Sequence, residues 1–334
     1  MVYVGHVRAI GRLGWEGGVE RLRKAIIRSL FLCVLSLLYW NVGVAAPASK
    51  QIALTFDKLP YMEPLGYWTP REVSNMVLRA LAARKIHAMG FVVEQKLDQK
   101  PGSYVVLLDW VQQGHKLGNE TFGYVDLNEL DASDFLAHVA DGEKYTKRAT
   151  HNVSGWLVRY FRFPMLHEGN TESKKKGVAQ RLRGAGYVLV PATVLFTDYE
   201  FDFFLDNTAD LDRSSRLEKL YLDRLQKAIS YSESQSDEVF GRQIPQILRL
   251  HLGLAAGNFI EGVLDLLEHD GYNFTTVEEA LKDPAYSTEE NYVGPLGLSF
   301  IDRVAATKGL PYDEKAGEIS RNEISKYLSS DGAQ

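Results

Sequence analysis

Polar groups recur where β-rich runs of this sequence stop: Asp57 after IALTF, residues 119–124 after HKLG, Arg162 inside VRYFRF, Asp202 after YVLVPATV, and His251 at the end of QILRLH. Carboxylates, an imidazole and a guanidinium are the side chains that move protons and hold developing charge. Parallel strands bring their carboxyl ends onto one face, so groups far apart in sequence converge there. Taken singly, each of these residues reads more readily as a helix cap or a satisfied core group than as a functional one. Together they define one candidate site. The residue after Asp57 is the odd one: Lys58 places an ammonium beside the carboxylate, at the end of a run whose Ile52, Leu54, Thr55 and Phe56 favour a strand.

The elements that must position these groups alternate between short β-rich runs and helical stretches, which predicts an α/β fold with a parallel sheet or barrel. TPREVSNMVLRALAARK carries Thr69 and Glu72 at capping-box spacing with Pro70 in the first turn. After AMGFVV come a helix in SYVVLLDWVQQ, closed by Gly114, and one over 133–150. A basic helix ends near Gly184 and Gly186, and residues 211–234 read as one long amphipathic helix. GNFIEGVLDLLEHDGYNF gives a helix, a stop at Gly271 and a short strand, and Thr276 caps a further helix. From 288 onward the chain is loop-rich, with a helical piece near 300–307. The organisation expected is a leader over 1–48, one domain over 49–287, and a tail over 288–334 that packs on the domain or trails from it.

The leader reading rests on Arg21, Arg23, Lys24 and Arg28 ahead of the apolar run SLFLCVLSLLYW and the small residues VGVAAPAS. The expected outcome is export, periplasmic or secreted, with cleavage near Ala46 or Ala48. Because no charge occurs over 29–49, an uncleaved segment would anchor the chain in a membrane. The single cysteine, Cys33, lies in this leader, which excludes thiolate catalysis and cysteine metal sites from the domain. Of 38 basic and 43 acidic residues, the leader holds six and two, leaving 32 against 41 and a net charge of −9. That balance argues against nucleic acid as a partner, and Lys174, Lys175 and Lys176 read as a solvated helix face.

Over 51–284 the sequence resembles the NodB-homology polysaccharide deacetylases of carbohydrate esterase family 4. Thr55-Phe56-Asp57-Lys58 with Pro60 matches the family's T-F-D-D motif, and GHKLGNETFGY matches its G-H-x-x-x-N-H-T-x-x-H. Arg162 and Pro164, Asp202-Phe203, and LRLHLG with DGYNF match the remaining three motifs in order. The resemblance implies a distorted (β/α) barrel of the NodB type, parallel strands with outer helices. It implies that Asp57 is the general base and His251 the general acid, with Arg162 holding Asp57 and Asp202 orienting His251. The family binds a divalent metal such as zinc, but the ligand positions here hold Lys58, Glu120 and Tyr124. His115 matches a motif position outside the metal triad.

An ammonium offers no lone pair to a cation. The expectation is therefore that no metal cofactor binds, and that Lys58 and Glu120 replace the ion with a charge-assisted hydrogen bond. Two functions follow from the resemblance. One is an exported pseudo-deacetylase whose groove binds N-acetylated polysaccharide or peptidoglycan. The other is an active carbohydrate deacetylase with a rewired or metal-free site, in which Lys58 and the backbone N–H of Met165 stabilise an oxyanion. Met165, Phe163 and Phe203 are the expected substrate contacts, with Phe122 and Tyr124 as further aromatic faces.

Overall fold

The computed structural model describes Met1 and residues 50–154, 159–205 and 211–330; the leader expected over 1–48 otherwise falls outside the described residues. The run IALTF lies in β1, Gln51–Leu59, and the rest of the sheet is built from it. The other strands are β2 (Met89–Val92), β3 (Lys116–Asn119), β4 (Arg159–Phe161), β5 (Tyr187–Leu189), β6 (Gln246–His251) and β7 (Asn273–Thr275). All pairings are parallel, in the order β5-β4-β3-β2-β1-β6. One edge of β1 pairs β6 from Ile52 to Asp57, and the other is shared between β7 at its start and β2 from Thr55 onward.

A single extended segment joins the two ends of this order. β5 pairs β4, and Val190 donates its N–H to the Phe161 carbonyl. Three residues on, the N–H groups of Thr193 and Val194 donate to Ile247 of β6. Pro191 has no N–H to give a neighbouring strand, which is why the expected strand YVLVPATV splits into β5 and a lone bridge at Val194. The result is the distorted barrel, closed by residues 187–194.

Period-two alternation decides what the barrel holds. Ile52, Leu54 and Phe56 of β1, with Leu248 and Leu250 of β6, point outward into the large core under the helices. Ala53, Met89, Phe91, Tyr160, Val190 and Ile247 point inward and fill the lower barrel, against Val277 and Ala280 of the helix that follows β7. Thr55, Asp57, Arg249 and His251 continue that inward row toward the carboxyl ends of the strands, where apolar filling gives way to a polar layer.

Helices α1 (Pro70–Ala83), α2 (Gln95–Gln99), α3 (Tyr104–Gln112), α4 (Ala132–Asp141), α5 (Lys144–Ser154), α6 (Glu172–Gly184), α7 (Leu211–Phe240), α8 (Leu254–His269) and α9 (Val277–Ala280) follow in chain order. The capping box is formed: Thr69 Oγ1 accepts from Glu72 N–H and the Glu72 carboxylate accepts from Thr69 N–H. The single helix expected over 133–150 is two, α4 and α5. They part at Gly142, the C-cap of α4, which lies so close to the loop after β3 that a Cβ there would fall 2.8 Å from the backbone N of Phe122 and 2.9 Å from Asn119 Oδ1. Buried Glu94 then caps α5, accepting from the N–H groups of Tyr145 and Thr146.

The C-terminal stretch packs on the domain. Within it lie α10 (Phe300–Lys308) and α11 (Arg321–Ser330), and Phe300 N–H donates to the Ala192 carbonyl, in the segment that closes the barrel.

Candidate functional site

Arg162, one residue past β4, is wholly buried and spends its guanidinium on four acceptors. Nη1 donates to Asp57 Oδ1 and Thr55 Oγ1, both at 2.7 Å; Nε and Nη2 donate to the carbonyls of Val190 and Pro191. The guanidinium lies 4.2 Å from the centre of the Phe91 ring, on top of the apolar filling. The inward position of Arg162 follows from alternation, with Tyr160 inside and Phe161 outside. This geometry agrees with the expectation that Arg162 holds Asp57.

The same alternation removes Phe163 from the site. It points outward and is buried among Phe135, Phe161, Val178 and Leu182 beneath α4 and α6, with its ring stacked on Phe135. The expectation that Phe163 contacts substrate is corrected: it is core, as β4's period requires.

Lys58 sits where β1 slips register against β2, between Phe56 and Leu59, and its φ is +61°. Such a bulge re-aims a side chain at a local cost. Glu120, fully buried at the end of β3, accepts the Lys58 backbone N–H on Oε2 at 2.9 Å. The Lys58 ammonium turns away and rests 3.9 Å from the centre of the Tyr124 ring. The expected ammonium-to-carboxylate hydrogen bond is thus replaced by a backbone bond plus a cation–π contact, because the positive-φ bulge presents the main chain, not Nζ, to Glu120. Burial pushes the Lys58 ammonium below its usual range, opposed by the charges of Glu120 and Asp57. Burial and the Asp57 charge push Glu120 well above the carboxylate range, opposed by the Lys58 N–H and ammonium. Burial and Glu120 raise the Tyr124 hydroxyl.

Strain gathers at this mouth. Of six non-glycine residues with positive φ among the described residues, five are Lys58, Thr121, Tyr124, Met165 and Leu166, on the loops that follow β1, β3 and β4. Such conformations cost of order 1 to 3 kcal/mol each and persist only when pinned. Asn119 pins one loop, donating to the Val139 carbonyl and accepting from Thr121 N–H. The Tyr124 hydroxyl accepts from Met165 N–H at 3.3 Å. The N–H expected to stabilise an oxyanion is therefore already engaged.

His251 pairs with Asp57 in the β1–β6 register, which brings the two expected acid–base groups side by side at the strand ends. Its partner is Asp198: Oδ1 lies 2.7 Å from Nδ1, and Oδ2 accepts the His251 backbone N–H at 2.7 Å. A carboxylate oxygen accepts, so Nδ1 carries the proton. Asp202, expected in this role, instead accepts from Ala255 N–H and caps α8. It packs so tightly on Gly253 that a Cβ there would lie 2.1 Å from Oδ2. The correction has a helical cause: the segment Asp198–Phe204 is a 3-10 helix, and its first turn, not its last, faces β6. Burial raises the Asp202 carboxyl well above its usual range.

Sequence reasoning missed three residues of the layer: Asp198; Tyr199, whose ring meets His251 edge-on at 5.0 Å; and Arg249, opposite Thr55 in the register. Alternation in LRLH, with Arg249 and His251 on one side and leucines on the other, was the available signal. Phe203 is exposed, as a contact residue must be, but one face is covered by the Arg321 guanidinium, 3.2 Å from the ring centre. His115 is buried below the layer, its Nδ1 accepting from Ala88 N–H.

A cleft of about 330 Å³ opens beside the layer, lined by Tyr124, Asp126, Glu129, His138 and Met165 among others. Another, of about 260 Å³, lies between His87, Lys116 and Glu278, at the opposite end of the strands from the polar layer.

Residues 45–187 match the Polysaccharide deacetylase family. A chitin deacetylase of Colletotrichum lindemuthianum is 29% identical over 87 residues, 26% of this chain and 31% of that protein, so the matched stretch spans about a third of that relative. Among solved structures, BA3943, a CE4 family pseudoenzyme from Bacillus anthracis, is 16% identical, with a TM-score of 0.46 over 71% of this chain and 66% of that one. The family 4 carbohydrate esterase PdaA of Bacillus subtilis is 19% identical, with a TM-score of 0.43 over 71% of this chain and 83% of that one. Residues 45–187, which run from just ahead of β1 to the start of β5, thus carry the likeness to polysaccharide deacetylases.

A divalent ion does not fit the residues at the positions where that family's resemblance places one. The donor set is an ammonium, a carboxylate with one oxygen on a backbone N–H, and a phenol whose face is covered by the ammonium. Among the described residues, no group of three or more His, Cys, Asp or Glu is arranged to hold a metal ion.

Proposed function

We propose that this chain is an exported member of the polysaccharide deacetylase family whose barrel mouth holds N-acetylated envelope glycan, chitin-like or peptidoglycan, without metal-dependent deacetylation. One observation carries the reading: the Lys58 ammonium sits on the Tyr124 ring, at the position where a metal ion would need a lone pair. Deacetylation needs a hydroxide nucleophile and a polarised acetyl carbonyl, and a bound metal supplies both by lowering the pKa of its water from about 15.7 to about 7. Neither Lys58 nor Asp57 replaces that. The groups kept at the mouth, with the exposed aromatic faces of Tyr67 and Trp68 on the loop after β1, are suited to binding sugar rings. The export reading rests on the leader over 1–48. Among the described residues, no helix is long and apolar enough to cross a membrane.

A second reading, a metal-free deacetylase, is favoured by the two intact pairs, Asp57 with Arg162 and His251 with Asp198. Titrating N-acetylglucosamine oligomers and peptidoglycan fragments by calorimetry, with an acetate-release assay on the same ligands, separates the two. Binding without acetate release is the expected result. Acetate release that disappears in Asp57→Asn and His251→Gln would establish the second reading.

A further inference from the structure

We infer that the cations at the barrel mouth form a receptor for a carboxylate, so that the glycan held there is an acidic one, carrying a uronic acid or a lactyl-type carboxylate on a sugar ring. The inference rests on the glycan-binding reading above and names its substrate class.

Three cations stand in the polar layer, and only one is spent. Arg162 is consumed by Asp57, Thr55 and two carbonyls. Arg249 points into the same layer from β6, with its side chain 11% exposed. Its nearest carboxylate oxygen, Asp57 Oδ2, is 4.0 Å away, and its buried Nε has no hydrogen-bond partner. Lys58, next to Asp57 in the chain, holds its ammonium on an aromatic face and not on a carboxylate.

The anions nearby are committed but for Oε1 of Glu120, which is buried without a hydrogen-bond partner. Asp57 is bonded to Arg162, Asp198 to His251 twice, and Glu120 lies wholly buried with Oε2 on the Lys58 backbone. Two partly exposed cations flanking Asp57, without hydrogen-bonded counter-ions, are what an incoming carboxylate requires, and an arginine with a free edge favours a planar two-oxygen acceptor. The adjoining cleft carries Asp126, bonded to His167, and exposed Glu129. Those carboxylates repel a second anion and direct the ligand's charged group to Lys58 and Arg249.

The test is calorimetric titration of the full chain with five probes: an N-acetylmuramic-acid-containing disaccharide, a glucuronate-containing oligosaccharide, the methyl ester of each, and neutral chitotetraose. The expected result is that at least one acid binds tenfold or more tighter than its own ester. Lys58→Gln and Arg249→Gln, checked by melting for intact folding, should each remove that preference, bringing the affinities for acid and ester to within about twofold of one another. Arg249→Lys, keeping the charge, should retain part of it. Which acid prevails identifies the source of the carboxylate. Esters that bind as tightly as acids, or a preference that survives both glutamine variants, would overturn the carboxylate receptor; chitotetraose binding would then leave the glycan groove standing. No binding by any probe would overturn both.

Discussion

Glu120 holds Lys58 by its backbone and not by its charge: Oε2 accepts the main-chain N–H at 2.9 Å while the ammonium lies over Tyr124. The carboxylate thereby pins a strained bulge at φ +61° and leaves the cation facing the mouth of the barrel.

Alanine at position 58 keeps its N–H, so Lys58→Ala leaves this bond in place, whereas Glu120→Ala removes it. A lost buried hydrogen bond of this kind costs about 1 to 3 kcal/mol. Urea unfolding should show Glu120→Ala as the more damaging change, with most of its cost persisting in the Lys58→Ala background. A larger loss from Lys58→Ala would mean that the ammonium, not the main chain, is what Glu120 stabilises.

Arg162 is the keystone of the layer. Its removal leaves Asp57 buried without its cation, and breaking a buried pair from one side costs about 3 to 5 kcal/mol. Arg162→Ala should lower the urea midpoint accordingly. Arg162→Lys should recover only part of the loss, since an ammonium cannot reach Asp57, Thr55 and both carbonyls at once. Full recovery by lysine would contradict the four-acceptor geometry.

His115 sets a pH dependence of stability. Buried, with Nδ1 accepting from Ala88 N–H and the His87 ring nearby, it is pushed down from 6.5 to about 4. Between those values the unfolded chain binds the proton and the folded chain does not, so the contribution is complete above pH 6.5 and is lost as pH falls toward 4. At about 1.4 kcal/mol per pH unit this amounts to roughly 3 kcal/mol. His115→Asn, whose Oδ1 can still accept from Ala88, should flatten the profile of unfolding free energy against pH in that window. An unchanged slope would assign the dependence to other groups.

Asp198 and Asp202 are four residues apart and do different work. Asp198→Asn should shift the His251 ring resonances in ¹⁵N spectra, because it removes the acceptor of Nδ1–H. Asp202→Asn should leave those resonances in place and act instead on the start of α8. The opposite pattern would restore Asp202 as the partner of His251.

The site's skeleton was legible where it follows from strand alternation. Asp57 and His251 end two neighbouring strands with inward parity, and Arg162 shares parity with Tyr160. Phe163 was misread for want of the same argument, since its odd step from Arg162 sends it under α4. Arg249 was visible in LRLH but overlooked beside the more chemical His251. The swap of Asp198 for Asp202 was not legible, because both precede an aromatic residue and only the rotation of a short 3-10 helix decides which one faces β6. The Lys58 backbone contact was equally hidden: it depends on a register slip that no residue type announces. In the fold, the close approach at Gly142 and the closure through residues 187–194 are contacts made across the chain, with Phe122 in one case and Ile247 in the other.

An ammonium stands at a position where the resemblance implies a metal ligand, and elemental analysis of the tag-free protein after equilibration with zinc, cobalt or nickel decides whether the site excludes the ion. No stoichiometric ion of any of the three is expected, with Lys58→Asp, which restores the family's residue at that position, showing whether one changed group alone excludes the metal. About one ion per wild-type chain, lost on Glu120→Gln, would contradict it.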